Sequence, residues 1–415
     1  LSQLSFYDEA AIPASLYYVS AFSALEQEGM RGLLDLIRRE MRSHGAKTLI
    51  VDGLVSADES TRSPLEAKKF VQELQTHSEL AGCTTFLITS GKRGTIGAER
   101  TMVDGLVELS DPVFGSTRER RIEVTKFRGS SFLRGQHAFE ITNDGLRIYP
   151  RTEALLRLPQ GPEPLLPEKV STGARGLDEI LKGGLPHAST SMVLGPPGSG
   201  KTSIGMQFLS LCRNEEPGVY LSFYETRRRA ERKAAQLGIP LAKMIEDGIV
   251  QFNWEPTTEN LVDRVTGGLA AIVEATKAKR VFIDGLDGFA QLSHEPNRLV
   301  RIFTALTNQM RALGATTIYT AESHSIITQQ VEAPPTGVST MLENLISLRY
   351  AEIESRVRRM ISILKVRDSD YDPAVREMVI TDHGIEIHQP LAGWENLLGG
   401  AAHRSRPPGR GDRDR

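Results

Sequence analysis

The stretch Gly195-Pro196-Pro197-Gly198-Ser199-Gly200-Lys201-Thr202 decides how this chain is read. It spells G-x-x-x-x-G-K-T, and the apolar run Ser191-Met192-Val193-Leu194 stands directly before it. Glycines at these places let the backbone curl so that its N–H groups point at phosphate oxygens. The lysine then neutralises charge on the β- and γ-phosphates, and the threonine hydroxyl is a ligand for Mg2+. Ile204, Phe208 and Leu211 follow at helical spacing, so residues 202–213 are predicted to form a helix whose N-terminus meets the phosphates. Strand, loop and helix in this order predict a nucleotide site.

The chain has 415 residues, 40% of them hydrophobic, enough for a large core and, by length, for two domains. A net charge of −2 does not advertise a polyanion partner. Cys83 and Cys212 lie far apart in apolar surroundings, which predicts buried thiols and a reducing, cytoplasmic setting rather than a disulfide or a metal site. No stretch reaches the apolar length of a membrane span, and no signal peptide is legible, so no membrane partner is expected.

Outward from the loop, the chain repeats itself. The strand Arg280-Val281-Phe282-Ile283 ending in Asp284-Gly285-Leu286 matches Thr48-Leu49-Ile50-Val51 ending in Asp52-Gly53-Leu54, an offset of 284 − 52 = 232. The same offset relates residues 84–89 to 316–321. Beyond them the offset becomes 239, relating Met102–Leu109 to Met341–Leu348 and Lys126-Phe127-Arg128 to Lys365-Val366-Arg367. A duplication of this length predicts two αβ units, 1–150 and 170–390. Residues 151–169, with Pro159, Pro162, Pro164 and Pro167, read as a stiff linker, and 391–415 as a tail largely without structure. Only the second unit holds a phosphate loop. The first therefore reads as incomplete. A natural loss would leave an apolar sheet edge unpaired, which favours a fragment lacking the front of that unit, and the Leu at residue 1 fits either processing or truncation.

Three further sets of residues carry chemistry. Asp284 closes an apolar strand, at the sheet edge where α/β proteins bind ligands, and is placed to hold Mg2+; a turn-forming Asp before Gly is the plainer alternative. Glu225 follows the strand Gly218–Phe223, with Thr226 placed to cap a helix over 227–237. A carboxylate there can orient or deprotonate a water, or can merely favour the helix dipole. Lys365 and Arg367 alternate along a strand and share a face, as do Lys126 and Arg128. They await an anion, or they protect a solvated edge.

Taken with Ser171-Thr172-Gly173, Gly176-Leu177-Asp178, Gly183-Gly184-Leu185-Pro186, Phe223-Tyr224-Glu225-Thr226 and Lys126-Phe127-Arg128-Gly129-Ser130, nearly the whole chain resembles a double-domain KaiC-type ATPase of the RecA-like superfamily. The resemblance implies an α/β fold of two RecA-like P-loop NTPase domains. Each would be a three-layer αβα unit around a mostly parallel sheet, the first incomplete. It also implies ATP and Mg2+ as ligands and a hexameric ring with ATP between subunits. Gly195, Pro196, Pro197, Gly198, Ser199, Gly200, Lys201 and Thr202 would bind the ATP, Thr202 and Asp284 would hold the metal, and Lys201, Asp284 and Glu225 would be catalytic. Lys365 and Arg367 would reach a neighbour's nucleotide, with Lys126 and Arg128 doing so among first domains. Some members phosphorylate themselves on an adjacent Ser-Thr pair, here Ser339-Thr340, although Ser339 could equally cap a helix. The family's paired glutamates become Tyr224-Glu225 here, and a tyrosine is a poor base near neutrality, so hydrolysis is better supported than phosphotransfer. Two other readings share the motifs: a DNA-dependent motor, for which Arg227–Arg229 with Arg232-Lys233 and Arg356 with Arg358-Arg359 are the basic candidates, and a non-hydrolysing nucleotide-sensing scaffold.

Overall fold

The computed structural model describes residues 3–53, 64–89, 102–156, 168–295, 297–323, 338–367, 369–390, 394–395 and 403–404. The four linker prolines and the arginine-rich end from 405 onward lie outside them. The chain divides into two compact units, Leu1–Ile148 and Tyr149–Arg415.

In the first unit, helix α1 (Phe22–His44) leads to β1 (Thr48–Asp52), and α2 (Pro64–Ala81) to β2 (Thr84–Ile88). The two strands pair in parallel, Thr48 with Thr84 through Asp52 with Ile88. Their alternating pattern sends Leu49, Val51 and Leu87 against Leu33, Leu34 and Ile37 of α1 and Phe70, Val71 and Leu74 of α2. The opposite face, with Ile50 and Phe86, is left 60% and 56% exposed. A separate antiparallel sheet follows, β3 (Gly105–Ser110), β4 (Arg121–Phe127), β5 (His137–Thr142) and β6 (Gly145–Tyr149), in that spatial order.

The second unit is built on one nine-stranded sheet. Its strands are β7 (Thr190–Gly195), β8 (Gly218–Ser222), β9 (Val250–Trp254), β10 (Arg280–Asp284), β11 (Thr316–Glu322), β12 (Asn344–Ile353), β13 (Arg356–Val366), β14 (Arg376–Thr381) and β15 (Gly384–Ile387). The spatial order is β9-β8-β10-β11-β7-β12-β13-β14-β15, parallel up to β12 and antiparallel after it. Alternate residues serve opposite faces. Val193, Tyr220, Phe282 and Ile318 pack with Phe208 of α3 (Lys201–Leu209) and Ala230 of α4 (Arg227–Ala235). Met192, Val219, Ile283 and Tyr319 pack with Leu269 of α5 (Val262–Thr276) and Phe303 of α6 (Arg298–Ala312). A parallel sheet covered on both sides needs such near-continuous apolar strands, and the result is the three-layer αβα arrangement.

The duplication survives in backbone detail. In both units the hairpin slips register by one residue at equivalent places, between Leu106 and Val107 and between Leu345 and Ile346. Thr142 and Thr381 each donate to a glycine carbonyl three residues on, at 3.1 Å, closing matching turns. The units differ at β7, which pairs with both β11 and β12 and so joins the parallel and antiparallel halves. Among the described residues no strand does this for β2 and β3.

Several boundaries depart from the sequence reading. The phosphate-loop helix stops at Leu209, not 213, because the chain must turn into the bridge between Arg213 and Glu216 ahead of Pro217. α4 stops at Ala235, followed by Gly238 with φ 72°. In the predicted tail, Trp394–Glu395 pairs with His403–Arg404. At the start of the expected linker, Thr152–Leu155 forms a helical turn fastened to the second unit. The Thr152 amide and hydroxyl both donate to Asp263 Oδ1 at 2.9 Å, and Arg298 bridges Glu153 and Asp263.

Arg298 and Asp263 leave 11% and 3% of their side chains exposed, so removing one partner strands a buried charge. Arg298→Ala should therefore lower unfolding free energy by about 3–5 kcal/mol in a denaturant titration. A loss within about 1 kcal/mol would show the pair to be energetically a surface one.

Candidate functional site

The loop between β7 and α3 owes its course to glycines. Gly200 holds φ +105°, and a Cβ there would come within 2.8 Å of Met378; at Gly195 it would come within 2.8 Å of Leu348 Cβ and Ser199 Oγ. Only hydrogen fits at either place. Lys201 opens α3 and turns back across the loop, its ammonium donating to the carbonyls of Gly195 at 2.8 Å and Pro196 at 2.9 Å. Burial lowers the proton affinity of Lys201, while Glu322, Asp284 and Asp287 oppose that shift. The loop is also held from outside. Tyr350 OH donates to Pro197 O, and Arg359 Nε to Gly198 O, each at 3.2 Å.

Asp284 ends β10 beside this loop, 8% exposed. Three hydroxyls from three elements converge on its carboxylate. Thr320 of β11 donates to Oδ1 at 2.7 Å, Thr202 of α3 to Oδ1 at 3.3 Å, and Tyr220 of β8 to Oδ2 at 3.4 Å. Thr320 Oγ1 in turn accepts from the Gly285 amide at 2.8 Å, so Asp284 is built into the sheet edge and is more than a turn former. Desolvation raises its proton affinity; the Thr320 and Thr202 hydrogen bonds and the charge of Lys233 act against that. Hydroxyl and carboxylate oxygens 3.3 Å apart, next to a phosphate cradle, are the hard donors that Mg2+ takes alongside phosphate oxygens. The sequence reading missed Tyr220 and Thr320, because an apolar strand shows neither which residue will face a neighbouring strand's carboxylate nor that the neighbour is β10.

Glu225 lies past the end of β8, its amide bonded to Ser222 Oγ at 3.0 Å. Its Oε1 accepts from Lys233 Nζ at 2.9 Å, whereas Oε2 is buried with no partner among the described residues. Thr226 occupies the N-cap position of α4 without the side-chain cap bond expected of it. Tyr224 packs its ring over Gly285 and accepts from Gln291 at 3.2 Å. Burial, with Asp287 and Glu322 nearby, raises its proton affinity and keeps it neutral, which suits it still less to act as a base.

The remaining candidates lie elsewhere. Lys365 donates to the carbonyls of Ser339 and Leu342, and Arg367 to that of Thr340, so both cations sit on the turn carrying Ser339-Thr340. Desolvation and the neighbouring Arg367 lower the proton affinity of Lys365. Ser339 and Thr340 are exposed in this turn, which leads into β12 and not into a helix, so Ser339 caps none. In the first unit Arg128 pairs with Asp104 at 3.3 Å, Lys126 is half-buried in β4, and Asp52 is exposed, unlike its counterpart Asp284. Of the basic clusters, Arg227 pairs with Glu231, Arg358 with Glu377, and Arg359 holds the phosphate loop. Arg228, Arg229 and Arg232 face solvent. Cys83 and Cys212 are free and buried. Among the described residues no helix is long and apolar enough to cross a membrane.

Comparison with known proteins bears on this geometry. The family model described as "ATPase: KaiC" matches residues 11–153 and again 170–392. The circadian clock oscillator protein KaiC of Parasynechococcus marenigrum (strain WH8102) is 27% identical over 387 residues, covering 90% of this chain and 73% of its own. The protein of the same name from Parathermosynechococcus lividus is 28% identical, covering 90% and 69%, and that from Acaryochloris marina (strain MBIC 11017) is 27% identical, covering 90% and 72%.

A carboxyl whose folded proton affinity is raised contributes stability at low pH that is lost as pH rises through its folded pKa, here above the ordinary 3.8. Asp284→Asn removes that loss. Without nucleotide, the stability difference between Asp284→Asn and the parent chain should grow in the variant's favour as pH rises from about 4. A pH-independent difference in paired denaturant titrations would contradict the desolvation of Asp284.

Proposed function

Because the chain belongs to the KaiC ATPase family, we propose that residues 170–390 form a Mg2+-dependent ATPase domain and that residues 1–150 belong to a related domain. The observation that carries this reading is the convergence of Lys201, Thr202, Glu225 and Asp284 at the C-terminal ends of β7, β8 and β10, where a parallel sheet presents its ligand site.

The chain's groups divide the work of phosphoryl transfer to water. Backbone amides of Gly195–Thr202 and the α3 N-terminus take the β- and γ-phosphates. Lys201 exchanges its two carbonyl partners for phosphate oxygens, to which its charge is better matched. Thr202 and Asp284 would hold Mg2+, which when bound would neutralise negative charge on the phosphates. Glu225 Oε2 accepts a proton from the water whose oxygen attacks the γ-phosphorus. The bond to the bridging oxygen breaks and its electron pair leaves with ADP. Tyr220 and Thr320 keep Asp284 oriented throughout.

The same reading places the chain in a homo-oligomeric ring, a hexamer by family resemblance, working in the cytoplasm. Lys365 and Arg367 would there stabilise charge on a neighbour's nucleotide, with Lys126 and Arg128 as counterparts in the first domain. Two like charges held side by side over carbonyls, as Lys365 and Arg367 are, gain from an anion brought to them. Ser339 and Thr340, exposed on the turn these cations hold, are the candidate acceptors if the domain also phosphorylates itself.

Phosphate release tests the reading directly. Lys201→Ala should cut turnover about 10²–10³-fold, and chelating Mg2+ should do the same to the parent chain. Equal rates for parent and variant would dispose of the ATPase assignment. Native mass measured with saturating Mg2+–ATP should exceed that of the monomer, and a monomer would remove the trans role of Lys365 and Arg367. If label from [γ-32P]ATP enters the protein, Ser339→Ala with Thr340→Ala should abolish it; label persisting in the double variant would exclude that pair.

A further inference from the structure

Glu225 is tethered on one side only. Lys233 lies eight residues further on in α4, and its ammonium meets Oε1 at 2.9 Å, with the two side chains 36% and 26% exposed. Other basic residues of α4 are engaged differently: Arg227 pairs with Glu231, and Arg228, Arg229 and Arg232 face solvent. Lys233 alone among them is drawn back to the sheet edge. The charge of Lys233 lowers the proton affinity of both Asp284 and Lys201, and that of Glu225 raises it in Asp284 and in Tyr220. Both members of the pair are thus within electrostatic reach of the groups that would hold metal and phosphate. Meanwhile Glu225 Oε2 is buried and has no partner among the described residues, a costly way to leave a carboxylate oxygen unless something else is to meet it.

A partly exposed Lys–Glu pair contributes little to stability, so stability does not account for the arrangement. Orientation does. A glutamate at the end of a loop has three side-chain torsions, and a base must come within hydrogen-bond reach of its water; small misplacements can cost about 10²-fold in rate. Anchoring Oε1 on a helix removes most of that freedom and leaves the other oxygen as the free acceptor.

We propose that Lys233 is a positioning residue for hydrolysis, gripping Glu225 through Oε1 so that Oε2 is presented to the attacking water. The inference rests on Glu225 being the base. It makes α4 part of the catalytic apparatus although no other α4 residue is tied to Glu225 in the described structure.

The test is a double-mutant cycle in the full chain, read as steady-state phosphate release, binding of fluorescent mant-ATP, and thermal melting. Lys233→Met keeps length and removes charge. It should lower kcat about tenfold to a hundredfold, with KM and mant-ATP affinity within about twofold of the parent. Lys233→Arg should recover part of the loss, because its guanidinium can grip the same oxygen. Glu225→Gln should lower kcat about 10²–10⁴-fold, and adding Lys233→Met to it should cost nothing further. Unchanged kcat in Lys233→Met, or the same proportional loss in the Glu225→Gln background, would overturn the positioning role. So would a higher KM at unchanged kcat, since Lys233 would then be binding phosphate. A loss of kcat matched by a large fall in melting temperature that Lys233→Arg does not relieve would point to folding instead and would also overturn it. Full activity in Glu225→Gln is a different failure: it removes the base itself, and this inference with it, whatever Lys233→Met does.

Discussion

Keeping the Asp284 carboxylate out of water is the constraint on which the second unit depends. A carboxylate buried to 8% exposure is held as an anion only if polar partners replace its hydration, and protein interiors rarely leave such a group alone. Here the replacements are hydroxyls of Tyr220, Thr320 and Thr202, delivered by two flanking strands and the phosphate-loop helix. Moving any of these elements by an ångström would uncover or crowd the carboxylate. The strand order β8-β10-β11-β7 is therefore a property of the site as much as of the core.

The phosphate loop is fixed with the same economy. Its glycines admit a path that side chains forbid, and the surrounding contacts leave that path little freedom: Lys201 from within, Tyr350 and Arg359 from the antiparallel hairpin. The hairpin also supplies Lys365 and Arg367, which rest on the Ser339–Leu342 turn. One antiparallel extension thus steadies the loop at one place and gathers positive charge at another. The acids near the loop, Asp284, Asp287 and Glu322, work against the desolvation that lowers the proton affinity of Lys201.

The two units show how far burial depends on neighbouring strands and helices. Equivalent bulges and turns recur in both hairpins, so the local sequence is sufficient to shape them. Yet in the second unit Phe282 and Ile318 are fully buried, whereas their counterparts in the first, Ile50 and Phe86, are more than half exposed. In the second unit β8 and β7 flank this pair of strands, and α3 with α4 covers the face on which Phe282 and Ile318 lie.

The sequence by itself determined the phosphate loop, the strands ending in Asp284 and before Glu225, the duplication with its change of offset, and the family to which these belong. Each is written locally: a spacing of glycines, a run of apolar residues, a repeated string. Tertiary structure alone decided that Tyr220 and Thr320 serve Asp284, that Lys233 grips Glu225, that Lys365 and Arg367 bind the turn of Ser339-Thr340, and that Thr152 and Glu153 are locked to Asp263 and Arg298. These partners are mostly tens of residues apart, and hydrogen bonds and ion pairs act over about 3 Å. Their pairing follows from which strands become neighbours and how far each helix runs, and neither is encoded in the spacing of the residues that finally touch.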